Sequence, residues 1–350
     1  MIPGRCRAGK REILANGLVL LALIAGTHAA GVKALDLDPS RWTAPWTGDV
    51  VLVGAGLLFL GIAFLAPLHG GMINLGVHAE FLAGYSIGAV IVRGGIFGPG
   101  MQAGLGLVAG AAAGALVGLG LAALRHRFAV HEILGGLMAT ALFVPLARVV
   151  SVDRLAPPAL AIELPALTQP IRWAPGLGLP PGFVLTWGIL LLTLSLVAAV
   201  LFAHFLRATV SGFEVRASGA NPLAAAAIGT DVAGIQRAMM ALGGACAGLT
   251  GALQLWTSPA VALERWPFPL GFAGIAVAFL GLASLRGAVV VAFVLAAWLN
   301  TPYVAEVLGA PGYGAAAAAL LLIPALWILP RTFPDFGAPR AIWRTRQREG

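Results

Sequence analysis

The chain has 350 residues, of which 59% are hydrophobic and 10% charged, with 22 Lys and Arg against 14 Asp and Glu. A soluble domain carries about 25% charged residues, so these few ionic side chains cannot clothe a water-soluble surface of this size. The alternative solvent is lipid, whose ~30 Å hydrocarbon core is crossed by about 20 apolar residues in a helix. The net charge of +8 comes from Lys and Arg scattered between apolar runs, which is a pattern of topology signals and excludes a nucleic-acid-binding surface.

The N-terminus carries a basic stretch from Arg5 to Arg11, followed by an apolar run from Ile13 to Ala30. No small-residue cleavage site follows and the run is long enough to span, so it reads as a retained first helix, 13–31. Further apolar runs fall at 49–68, 72–92, 101–124, 131–150, 184–205, 236–256, 270–285, 287–307 and 313–330, followed by a basic tail at 331–350. The fold class is therefore all-α, a polytopic integral membrane protein of about ten spans forming a single transmembrane domain over 1–350. With the N-terminus in the cytoplasm, ten spans return the C-terminus to the same side. Seven of the 22 basic residues then fall outside (Lys33, Arg41, Arg93, Arg148, Arg154, Arg172 and Arg265) and fifteen inside, which the positive-inside rule favours.

Gly4 to Lys10 nominally satisfies GxxxxGK, but Arg11 stands where the Mg²⁺-binding Ser or Thr belongs and no strand precedes it, so it reads as a basic membrane flank. No cofactor is expected. No metal site is expected either, since Cys and His are not clustered at ligand spacing, and two cysteines, Cys6 and Cys246, make no disulfide framework.

The stretch Gly70 to Gly88 opens a nominal span yet contains Asn74, His78 and Glu80 among five glycines. A carboxylate inside the bilayer is expensive and faces a protein interior or a wet cavity. The glycines predict a broken or re-entrant segment. Asn74, His78 and Glu80 either tie this segment to a neighbour or line a substrate pathway, to which Gln254 is also assigned. In the 101–124 span, Gly106, Gly110, Gly114 and Gly118 recur every four residues. They form one stripe along a helix, which predicts close helix packing.

Two connections are long. The outer one, 151–182, is rich in proline and glycine and predicts an irregular cap. The inner one, 206–236, is the most polar stretch between spans. Within it, Asn221 suits an N-cap, Pro222 the first helical position and Gly229 the close, so a two-turn helix is predicted over 222–228. A helix this short is marginal alone and must pack on something, either its own membrane domain or a soluble partner.

Here the sequence resembles the permease subunits of ABC importers, in the branch serving nucleosides and simple sugars and, more distantly, branched-chain amino acids. The resemblance rests on GMINLG at 71–76, RFAVHEILGGLM at 127–138, GFEVRASGANPLAAAAIG at 212–229, ALGGACAGLTGALQ at 241–254 and GFAGIAVAFLG at 271–281. Together these cover most of the chain from about residue 50 onward. It departs from the family pattern at His78-Ala79-Glu80, where the acidic group is displaced by two positions, at His131 in place of Asn, and at Ala273 in place of an acidic residue.

The resemblance implies a non-enzymatic transport subunit without an ATP site of its own, in the bacterial cytoplasmic membrane; the charge bias places both termini in the cytoplasm. It implies a second permease, either a paralogue or a copy, an extracytoplasmic substrate-binding protein, and cytoplasmic ATPase subunits. Coupling to the ATPase is expected through the 206–236 loop at Gly212, Glu214, Arg216, Asn221, Pro222, Ala225 and Gly229. Three other readings stand beside it: an ABC permease for branched-chain amino acids or other small polar solutes, an ion-coupled secondary transporter with Glu80 carrying a proton, and a membrane-embedded enzyme. The secondary transporter would leave the capped helix at 222–228 unexplained, and the enzyme lacks converging acid and base groups.

Overall fold

The computed structural model describes residues 39–94, 99–150, 170–171, 185–257, 270–281 and 284–307. Apart from a two-residue antiparallel pairing of β1 (Pro170–Ile171) with β2 (Leu185–Thr186), the described residues are helical or connecting. The helices are α1 (Pro39–His69), α2 (Val77–Gly94), α3 (Pro99–Phe128), α4 (Glu132–Val150), α5 (Trp187–Ala208), α6 (Val210–Ala220), α7 (Pro222–Ala227), α8 (Val232–Thr257), α9 (Leu270–Leu280) and α10 (Leu285–Val307). The chain divides into two compact units. The larger, Val50–Phe293, holds the packing and the candidate residues described below; of the smaller, only 39–49 and 294–307 are described.

Among the described residues, five helical stretches are long and apolar enough to cross a membrane: Val50–His69, Gly104–Phe128, Glu132–Val150, Leu191–Ala208 and Val232–Gln254. Val77–Ile91, Leu270–Leu280 and Leu285–Ala297 are shorter and apolar. The expected spans at 13–31 and 313–330, the tail at 331–350 and nearly all of the 151–182 loop lie outside the described residues. Large apolar side chains stand exposed on α3, α4 and α5, including Val108, Leu116, Leu142 and Val200. Contiguous exposure of that kind is unfavourable in water and costs nothing against lipid tails.

The core is built from α2, α3 and α8, which pack tightly against one another. The packing is possible because glycines meet glycines. A Cβ on Gly114 would strike the Gly244 carbonyl oxygen and come within 2.8 Å of the Gly248 backbone; one on Gly84 would strike Gly248, and one on Gly118 the Met240 carbonyl. Gly106 lies on the same buried side of α3. Around this seam, Met72, Leu121, Ala122 and Met240 form one apolar cluster, and Leu52, Ala55, Leu191 and Leu253 another.

Helix α1 ends in a full Schellman motif. Gly71 takes φ +85, its N–H reaches the Leu68 carbonyl at 3.2 Å, and the Met72 N–H reaches that of Pro67 at 2.9 Å. Residues 70–76 that follow are non-helical, and α2 begins only at Val77.

The inner loop holds more helix than the sequence predicts. Besides α7, residues 210–220 form α6, and α8 starts at Val232. The serines and glycines of 211–219 look like loop chemistry, but Gly212, Val215 and Ser218 form the buried side of α6. Thr209 caps α6, its Oγ1 accepting from the Gly212 N–H at 2.9 Å.

Candidate functional site

Two groups of residues carry candidate function, one at the start of α2 and one in the α6–α7 connection. In the first, the Asn74 side chain organises the turn. Its Oδ1 accepts from the Gly76 N–H at 3.0 Å, while its Nδ2 donates to both Glu80 carboxyl oxygens at 3.1 and 2.9 Å and to the Ala63 carbonyl at 3.4 Å. Asn74 and Glu80 are fully buried. Glu80 also sits in the first turn of α2, where the positive end of the helix dipole favours an acidic group. A Cβ on Gly118 would come within 3.1 Å of Glu80 Oε1, so the α3 glycine stripe ends against this side chain.

His78 is turned elsewhere. Two residues of helix rotate its side chain about 200° from that of Glu80. The imidazole lies against Phe272 and Phe81, with ring centroids 5.4 and 6.0 Å away, and its backbone is approached by Gly271 of α9. Gln254 is buried on α8, one turn beyond Gly251, whose bare Cα lets α8 approach the Phe81 carbonyl. Of the four expected pathway residues, the structure brings Asn74 and Glu80 together and holds His78 on a different side of α2.

In the second group, one residue joins two helices. Asn221 ends α6 with its backbone N–H on the Ala217 carbonyl and starts α7 with its side chain accepting from the Ala224 N–H at 3.1 Å. Pro222 occupies the first turn. Gly229, at φ +91, closes α7 in a second Schellman motif: its N–H meets the Ala226 carbonyl at 3.0 Å and the Thr230 N–H that of Ala225 at 3.1 Å. Gly212 is buried against the Phe205 carbonyl, Arg216 donates to the Leu206 carbonyl, and Glu214 is partly exposed.

Ala225 is only 2% exposed and faces its own chain, whereas Leu223 is 84% exposed and Ile228 71%. The small alanine is the seat of α7, and the large apolar side chains are what it presents outward.

Sequence reasoning also missed Ser218 and Gln236. Both are buried and both donate to the Gly70 carbonyl, at 3.1 and 3.4 Å. Their partner is a backbone atom in a distant segment, for which one sequence carries no signal. Gly71 and Gly219 let the two backbones close on each other there. Among the described residues, no group of three or more His, Cys, Asp or Glu side chains could hold a metal ion.

A family model described as "Branched-chain amino acid transport system / permease component" matches residues 48–329. The chain belongs to this permease family. A similar permease is the guanosine ABC transporter permease protein NupP of Bacillus subtilis (strain 168), 29% identical over 297 residues that cover 79% of this chain and 81% of the relative. The match runs through both candidate groups, and the apolar helices agree with a multi-pass membrane permease.

Proposed function

We propose that this permease is the membrane-spanning subunit of an ATP-driven nucleoside importer, coupled to its ATPase through α6 and α7. One observation carries the coupling: α7 is closed at both ends, seated on Ala225, and turns Leu223 and Ile228 outward. Burying a leucine side chain stabilises an interface by about 1.5–3 kcal/mol, so Leu223 is an anchor for a soluble partner. Through Ser218 and Gln236 the same segment grips the turn at Gly70, which leads into the Asn74–Glu80 pair. The guanosine permease of Bacillus subtilis, similar over most of its length, supports the substrate class.

In this reading the chain has ten spans with both termini cytoplasmic, in a bacterial cytoplasmic membrane. It pairs with a second permease and receives substrate from an extracytoplasmic binding protein. Asn74 and Glu80 set the shape of the broken segment, while His78 and Gln254 belong to the pathway. A cysteine placed at Ser211 is therefore inaccessible to an impermeant thiol reagent added outside, and one at Ser151 reacts.

The deciding experiment is Leu223→Asp in the full complex with the second permease, the ATPase subunits and the substrate-binding protein. The variant inserts normally, loses ATPase co-purification, and loses ATP-dependent uptake of labelled guanosine in proteoliposomes. Full uptake by the variant would remove α7 from the coupling.

A further inference from the structure

Two side chains of α2 carry polar atoms that the packing described above leaves unused. His78 and Ser86 are each 6% exposed, and His78 Nδ1 and Ser86 Oγ are, among the described residues, buried side-chain polar atoms without a hydrogen-bond partner. Buried polar groups are normally paired, and an orphan costs stability that an apolar residue of the same shape would not. Both groups sit on one side of the helix: eight residues separate them by about 12 Å along the axis and about 80° around it. Glu80 lies on the other side, occupied by Asn74. One turn beyond Ser86, Val90 is 52% exposed, so the line from His78 through Ser86 runs from the interior to an open surface.

The chemistry of this side is neutral. The element that approaches it at Gly271, helix α9, carries no charged residue over Leu270–Leu280. A branched-chain amino acid would bring an ammonium and a carboxylate, each needing a countercharge in a dry site. A nucleoside brings hydroxyls and ring N–H and N groups, which a serine hydroxyl and an imidazole nitrogen can meet as donor or acceptor.

Resting on the permease reading above, we infer that the His78–Ser86 side of α2 is the substrate face, where His78 Nδ1 and Ser86 Oγ hydrogen-bond an uncharged nucleoside during its passage. The orphaned atoms are then stability given up for transport.

The test uses the full transporter in proteoliposomes, the permease pair with its ATPase subunits and the extracytoplasmic binding protein, with labelled guanosine and labelled leucine as probes. His78→Phe keeps an aromatic ring beside Phe81 and Phe272 and removes both ring nitrogens; Ser86→Ala removes only the hydroxyl. Each variant keeps or raises the thermal midpoint of the wild type, and each raises KM for guanosine uptake about tenfold, the loss of one substrate hydrogen bond. His78→Asn, which returns a polar atom near the Nδ1 position, recovers part of that loss, and leucine is not carried.

Wild-type KM in both variants, or a lowered midpoint in Ser86→Ala, would overturn the inference while leaving the permease reading intact. If His78→Phe does not fold, Ser86→Ala decides alone. Leucine uptake by the wild type in place of guanosine would overturn the nucleoside assignment and this inference together.

Discussion

Ser218 and Gly70 are 148 residues apart in sequence, and the hydroxyl of one donates to the carbonyl of the other at 3.1 Å. The contact joins the last turn of α6 to the residue that follows α1. Gln236, at the start of α8, donates to the same carbonyl at 3.4 Å, so a single backbone oxygen is held from two sides. In the proposed coupling, displacement of α6 by the ATPase would pull on the turn that carries Asn74.

Removing one of these donors separates fold from coupling. Ser218→Ala forfeits about 1 kcal/mol, the net worth of one buried hydrogen bond, and leaves Gly70 paired with Gln236. The variant is expected to fold and bind its ATPase, with less substrate carried per ATP hydrolysed. Uptake and hydrolysis measured in the same proteoliposomes give that ratio, and an unchanged ratio would restrict Ser218 to packing.

The glycine seam predicts a sharp positional contrast on α3. A side chain at Gly114 would meet the backbone of Gly244 and Gly248, while nothing lies within 4 Å of a Cβ at Gly120. Overpacking against backbone costs about 1–3 kcal/mol or more, so Gly114→Leu sharply lowers the amount of folded protein recovered in detergent. Gly120→Leu is tolerated. Equal recovery of both variants would show that α3 does not pack along this stripe.

Much of this arrangement was legible in the sequence where the pattern is local. The spacing of four between Gly106, Gly110, Gly114 and Gly118 gives one helix side by geometry alone, and Asn221, Pro222 and Gly229 are caps whose chemistry acts within a few residues. What the sequence could not show depends on distant partners. Nothing local tells that Ala225 turns inward and Leu223 outward, because both fit a short helix equally well. Helix α6 was hidden for the same reason: its small residues are selected by backbones that pass close by, at Phe205 for Gly212 and at His69 for Gly219. His78 and Glu80 could be placed on different sides of a helix from their spacing, but the Asn74 bridge to Glu80 needs the bend between them.

That bridge makes a prediction of its own. Glu80→Gln keeps one oxygen to accept from Asn74 Nδ2, whereas Glu80→Ala removes both acceptors and leaves a buried amide short of partners, at a cost of about 1–3 kcal/mol. Glu80→Gln is expected to be recovered folded, with uptake per folded molecule unchanged; Glu80→Ala is expected to be lost from the membrane fraction. A double-mutant cycle with Asn74→Ala measures the coupling, which for side chains in direct contact is on the order of 0.5–3 kcal/mol. Loss of uptake in well-folded Glu80→Gln would instead place this side chain in the substrate pathway.

The closure of α7 can be loosened without touching its surface. Gly229 has φ +91 and nothing within 4 Å of a Cβ, so Gly229→Ala introduces no clash and only the strain of a left-handed alanine, about 1–2 kcal/mol. That strain falls on the N–H groups the Schellman motif satisfies, those of Gly229 and Thr230 on the carbonyls of Ala226 and Ala225. Amide exchange at 228–230 should accelerate, while the midpoint for unfolding of the membrane helices stays where it was, because none of their contacts changes. With α7 frayed, Leu223 and Ile228 are no longer held in a fixed relation, and the ordering cost is transferred to docking. Affinity for the ATPase subunits should therefore fall, in proportion to the rise in exchange across Gly229→Ala and the milder Gly229→Asn, since asparagine tolerates this backbone better than alanine. An ATPase that binds Gly229→Ala as tightly as wild type, despite faster exchange, would show that docking does not require a preformed α7.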